Sequence, residues 1–221
     1  MAGFPPPHDP AVAEEVEALR ARLARASAQG IAGRASEGLA DARAVAERAA
    51  ALDWSPLRAE AALAVGQLAA NAGDDAAALT SLHAAVDEAV AAQHDEVLVK
   101  AATDLVSFVG VSLSRYEEAE RWGRLAAAAV RRRGRDMSDT IELDGALCMM
   151  LADKGEPKAA LPRCQEALDL SIVVHGPTHS ITGVAHRGQL DPVAFADQHD
   201  ALEQFGEPFT RHGRSEERRV G

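Results

Sequence analysis

Apolar residues recur along this chain at steps of three and four. Leu79, Leu82, Val86 and Val90 form one such stripe, and Leu98, Ala102, Leu105, Val106 and Val109 form another. A stripe with that period covers one side of an α-helix, which must then be buried against a partner. Polar turns interrupt the stripes at regular intervals: Gly33, Gly73, Ser114 and Gly155 stand 40, 41 and 41 residues apart. Self-similarity at such a period indicates stacked units, because one short unit cannot bury its apolar face alone. The pattern predicts four helix pairs, at 11–30 with 35–52, 56–72 with 75–92, 95–112 with 116–133, and 138–153 with 157–174.

The turns carry their own chemistry. Gly73 and Gly155 stand where the preceding helix must stop and the chain turns through positive φ. Ser55 before Pro56 reads as a helix start, with the hydroxyl accepting an orphan N–H and proline supplying the first helical φ. Ser114 and Glu117 have capping-box spacing. Gly38, Ala78, Ala119 and Ala160 each follow a turn residue by five positions, and small side chains there would let two helix axes approach closely.

Composition sharpens the picture to an all-α protein. Alanine supplies roughly a quarter of residues 11–175 and aromatic residues only 4% of the chain, a balance that disfavours sheets. The formal charge of −11 argues against nonspecific nucleic-acid binding, which needs clustered cations. No apolar run approaches the ~20 residues of a membrane span, and the amino terminus MAGFPPPHDP lacks a signal-peptide pattern, so the expected compartment is the cytoplasm. There Cys148 and Cys164 would remain reduced. They fall on the two helices of one pair at positions that could face each other, with close thiols expected over a redox pair.

The catalytic patterns sought are missing: no phosphate loop, H-E-x-x-H, nucleophile elbow or kinase signature occurs, so no cofactor is expected. Gly33 to Gly38, GRASEG, reads as an interhelical turn. His175 and His179 have metal-ligand spacing, but Gly176 and Pro177 break the helix between them, which favours a loop and no metal. His83 and His94 read as surface or boundary residues. Arg131, Arg132, Arg133 and Arg135 suit a helix carboxyl end, with an acidic partner as the alternative.

The units resemble tetratricopeptide repeats. Gly66, Gly73, Ala78 and Ala85 match that pattern's small positions in the second unit, and Tyr116 and Ala119 match it in the third. Their length is nearer the form of about 42 residues found in kinesin light chains than the usual 34 or so, and Glu156–Ser180 is similar to the second helix and loop of that form. The region 11–180 also looks like the repeats that follow the kinase domain in bacterial, especially myxobacterial, serine/threonine kinases. Ala35 and Pro157 depart from the pattern where an aromatic is usual. Residues 1–10 read as a disordered linker and 181–221 as an irregular tail, in which Phe195 and Phe205 do not continue the register and RSEERRVG resembles an artefactual end.

The resemblance implies a right-handed superhelical α-solenoid of about four units whose concave face is lined by each pair's first helix. Its register puts Leu63, Gln67 and Asn71, then Asp104, Leu105 and Phe108, then Glu142 and Met149 on that face. The implied partner is a protein or peptide segment, and the implied role a noncatalytic scaffold in a signalling protein; the alternatives are a fragment of an enzyme whose catalytic domain lies outside this chain, or a purely structural spacer.

Overall fold

A computed structural model describes residues 7–176. The expected tail at 181–221, with Phe195 and Phe205, lies outside the described residues, as do His179, Pro177 and the first six positions of the expected linker.

The described chain is all helical. It comprises α1 (Pro10–Ile31), α2 (Ala35–Leu52), α3 (Ser55–Asn71), α4 (Asp75–Ala92), α5 (Asp95–Ser107), α6 (Tyr116–Arg132), α7 (Met137–Asp153) and α8 (Pro157–His175), with one π-helical turn, Phe108–Ser112, prolonging α5. The expected pairs are the observed ones: α1 with α2, α3 with α4, α5 with α6 and α7 with α8. Each second helix also packs on the next first helix, and successive first helices touch, α1 with α3, α3 with α5 and α5 with α7. Among the described residues no substantial contact joins elements farther apart in the chain, or one second helix with another.

The turns inside pairs follow one recipe. Gly33, Gly73 and Gly155 have φ of 76°, 76° and 83°, and the residue after each returns a bond from its N–H to the carbonyl five residues back: Arg34 to Gln29, Asp74 to Ala69, Glu156 to Leu151. That closes the helix end with carbonyls that would otherwise be orphaned. Ser114 takes the same left-handed conformation, φ 54°, without glycine's freedom. Its successor Arg115 reaches back six residues, to Val109, because the π-helical turn inserts one extra residue.

Two capping expectations are corrected. Trp54, not Ser55, occupies the cap position of α3, and Ser55 is its first helical residue; the Ser55 hydroxyl accepts from Arg58 instead. The Ser114 and Glu117 box does not form, since Arg115 is the cap residue of α6 and no side chain closes it. A serine held at positive φ is one position too early to cap. Side-chain caps arise at Asp9, Asp74, His94 and Asp136, which accept from the first turns of α1, α4, α5 and α7.

One apolar cluster runs through α1 to α7, while α7 and α8 share a second small one of Cys148, Ala152, Ala160 and Cys164. The small-residue seam is at the centre of this packing. Ala78, Ala119 and Ala160 are fully buried, and a carbon added to Gly38 would lie 2.4 Å from the Ala26 carbonyl oxygen. Ala78→Phe should therefore overpack α3 against α4, lowering the unfolding free energy by ~1–3 kcal/mol. Thermal melts are the check, and an unchanged midpoint would contradict the seam.

Candidate functional site

Successive first helices bring polar side chains from three units into one row. Gln67 of α3 donates its amide N–H to Asp104 Oδ2 of α5 at 2.8 Å, and the charge of Glu142 on α7 acts on Asp104 from the other side. Asp104 is partly buried; loss of water around its carboxyl, reinforced by Glu142, pushes its pKa up to about 7 against the opposing pull of Gln67 and Lys100. Burial raises Glu142 as well, helped by Asp139, Asp136 and Glu96 and opposed by Lys100. The row thus sets one hydrogen-bonded pair, Gln67 and Asp104, beside a further carboxylate, and Asp104 takes up a proton near neutrality.

The structure divides the eight residues expected on this face. Gln67, Asn71, Asp104 and Met149 are partly exposed and Glu142 is exposed. Leu105 is corrected: it has no accessible surface and belongs to the core, and Leu63 and Phe108, at 8% and 5% exposure, are buried with it. These three cannot serve as apolar anchors for a ligand. In a close-packed array of alanine-rich helices, the large side chains of first helices are consumed in filling the space between units.

A second polar cluster was not foreseen. Glu60 of α3 accepts two bonds from the Arg20 guanidinium of α1, at 2.7 and 2.9 Å, and Arg20 also lies over the Trp54 ring, 4.9 Å from its centre. His94, expected at the surface or at an element boundary, caps the start of α5 and is buried at 8% exposure. Its Nδ1 accepts the Val97 N–H, so Nε2 carries the proton and donates to Glu60 at 3.3 Å. Burial alone would raise Glu60, but the bonds from His94 and Arg20 outweigh it and hold the carboxyl below its usual range. Such a fully partnered network ties three consecutive units together. The arginine and glutamate are 40 residues apart, one repeat length, which is the signal that could have found it.

Other expected features settle into structural roles. Arg132 pairs with Asp95 and Arg133 with Asp139 at 2.6 Å, so these cations are spent on the starts of α5 and α7. His83 stacks on Trp122, with ring centres 5.2 Å apart; a cavity of about 340 Å³ is lined by that tryptophan with Glu118, Arg121 and Leu125, away from the first-helix row.

The cysteines require a correction. Cys148 and Cys164 do face each other across α7 and α8, but as a disulfide rather than as two thiols. Their Cα atoms stand 5.2 Å apart, within the range that a bridge spans. Among the described residues no group of three or more His, Cys, Asp or Glu side chains is placed to hold a metal ion, and no helix is long and apolar enough to cross a membrane.

Comparison of the chain with known protein families, with characterised proteins and with solved structures yields no match.

Proposed function

We propose that these helix pairs form a right-handed α-solenoid of the tetratricopeptide kind, and that it is a noncatalytic module binding an extended protein segment along the face of its first helices. The observation that carries this reading is the neighbour-only packing, in which first helices pack on one another in succession while second helices meet far less, as where His83 of α4 stacks on Trp122 of α6. Closer packing on one side curves a stack toward that side, and the inner surface becomes a continuous groove.

The groove's exposed chemistry is polar. Gln67 and Asn71 offer both donors and acceptors to a peptide backbone, Asp104 and Glu142 offer carboxylates to a cationic side chain, and Met149 offers an adaptable apolar contact. A segment carrying lysine or arginine is the best match. The resemblance to kinase-linked repeats supports placing the module as the scaffolding part of a larger signalling protein, with catalysis in another part.

The test replaces Gln67, Asn71, Asp104 and Met149 together by alanine. Proteins retained by the wild type should be lost by a variant whose helicity is unchanged; identical sets of retained proteins would rule out the groove. Binding of a cationic segment should also strengthen as pH rises through about 7, because only the ionised Asp104 attracts it.

A further inference from the structure

In the second and third helix pairs, residues that meet between the two helices are complementary in size. In the second pair, a carbon added at Gly66 would fall 2.8 Å from Leu82 Cδ2; in the third, a carbon on Gly123 would fall 3.6 Å from Val106 Cγ2, and 2.9 Å from Leu147 Cδ2 of the next unit. A branched side chain on one helix thus fits opposite a glycine on the other. The repeat carries this point onward: Leu82, Gly123 and Cys164 are 41 residues apart, and Gly66, Val106 and Cys148 are 40 and 42 apart. The fourth pair therefore holds its disulfide at the position where the second and third hold a glycine against leucine or valine.

The replacement matters because the fourth pair has little else at that point. Its shared cluster consists of the two cysteines, Ala152 and Ala160, with Leu151 packed alongside. Among the described residues α7 is the only substantial neighbour of α8, whereas α2, α4 and α6 each pack on two first helices. Pro162 lies inside α8 and cannot donate to the Lys158 carbonyl, which weakens the early turns. The main polar tie beside the disulfide is the half-exposed Arg163 guanidinium bonded at 2.8 Å to the buried Asp144.

We propose that Cys148 and Cys164 are a reversible thiol–disulfide exchange site that locks α8 onto α7, with a dithiol as the reducing substrate. One thiolate of the dithiol attacks a cysteine sulfur, the Sγ–Sγ bond breaks, and its electron pair leaves on the other cysteine, which takes a proton. The second thiol of the dithiol then attacks the mixed disulfide as its own thiolate. The first cysteine leaves and is protonated, and the reductant departs as a disulfide, having delivered two electrons. Oxidation of the pair by a disulfide runs the same steps in reverse. Both sulfurs belong to buried residues, at 5% and 1% exposure, so exchange proceeds through opening of the α7–α8 contact. Once reduced, α8 is joined to α7 only through the backbone turn between them, and the loop of 16 residues regains its freedom in the opened state.

The experiment uses the full chain equilibrated with oxidised glutathione or with dithiothreitol, and reads intact mass, hydrogen exchange along α8 and tryptic cleavage at Lys158 and Arg163. The oxidised protein should lack two hydrogens. Reduction should speed α8 exchange and cleavage by roughly a hundredfold and leave α1 to α5 unchanged. The double variant Cys148→Val with Cys164→Gly, which copies the third pair, should ignore dithiothreitol; Cys148→Ala with Cys164→Ala should exchange like the reduced protein under both conditions. Free thiols in the oxidised sample, equal α8 exchange in the two redox states, or a response of either variant to dithiothreitol would each overturn the proposal.

Discussion

Leu105→Ala is expected to lower the unfolding free energy by about 3–5 kcal/mol. Leu105 has no exposed surface and lies in α5, which packs on α3, α4, α6 and α7. Removing its isobutyl group forfeits the transfer energy of the lost carbons and leaves a cavity that neighbouring helices close only in part. The same cut at Val90, which is 55% exposed, should change stability by no more than about 0.5 kcal/mol. Urea unfolding of the two variants side by side supplies the comparison. A Leu105 effect as small as that of Val90 would return the residue to the groove and reopen its role as a ligand anchor.

Asp104→Asn is expected to stabilise the protein at pH 8 by about 2 kcal/mol, with the gain vanishing toward pH 4. The folded carboxyl is raised to about 7 from an ordinary 3.8. A raised acid favours folding while it is protonated in the native state, so wild-type stability should fall as pH climbs from about 4 to 7. The full shift would be worth about 4 kcal/mol; partial access to water reduces that to about half. Asparagine keeps an oxygen to accept the Gln67 N–H and carries no charge to desolvate, so its stability curve should lack this slope. Parallel curves for wild type and variant between pH 4 and 8 would show that Asp104 ionises freely.

Much of the architecture was legible in the residue pattern, and particular features explain where legibility stopped. Helix boundaries fell within a residue or two because Gly33, Gly73 and Gly155 impose a local geometry that few other residues adopt cheaply. Ser114 obeyed the register of those glycines rather than its own capping preference: a position in a repeat is set by packing on both sides, which outweighs the ~1 kcal/mol of a cap. The π-helical turn at Phe108–Ser112 was not foreseeable from periodicity. Within it, a carbon added to Gly110 would lie 2.5 Å from Met150 Cγ, a contact between units that no window of local sequence contains.

The site shows the same division. Gln67 and Asp104, which the register placed on one face, are hydrogen-bonded across neighbouring helices, whereas Leu63, Leu105 and Phe108, placed on the same face, are buried in the core. The His94, Glu60 and Arg20 network escaped notice because its members come from three units and look unremarkable singly.

The sequence by itself determined that helices form, where they turn and which ones pair, since those outcomes depend on periodicity, turn conformations and alanine content acting over tens of residues. The tertiary structure decided which large side chains fill the spaces between units and which reach water. It also decided that two cysteines 16 residues apart meet as a disulfide, and that Asp104 holds its proton near neutrality. Those outcomes depend on distances between separate helices and on how much water remains there, which become defined only when the units stack.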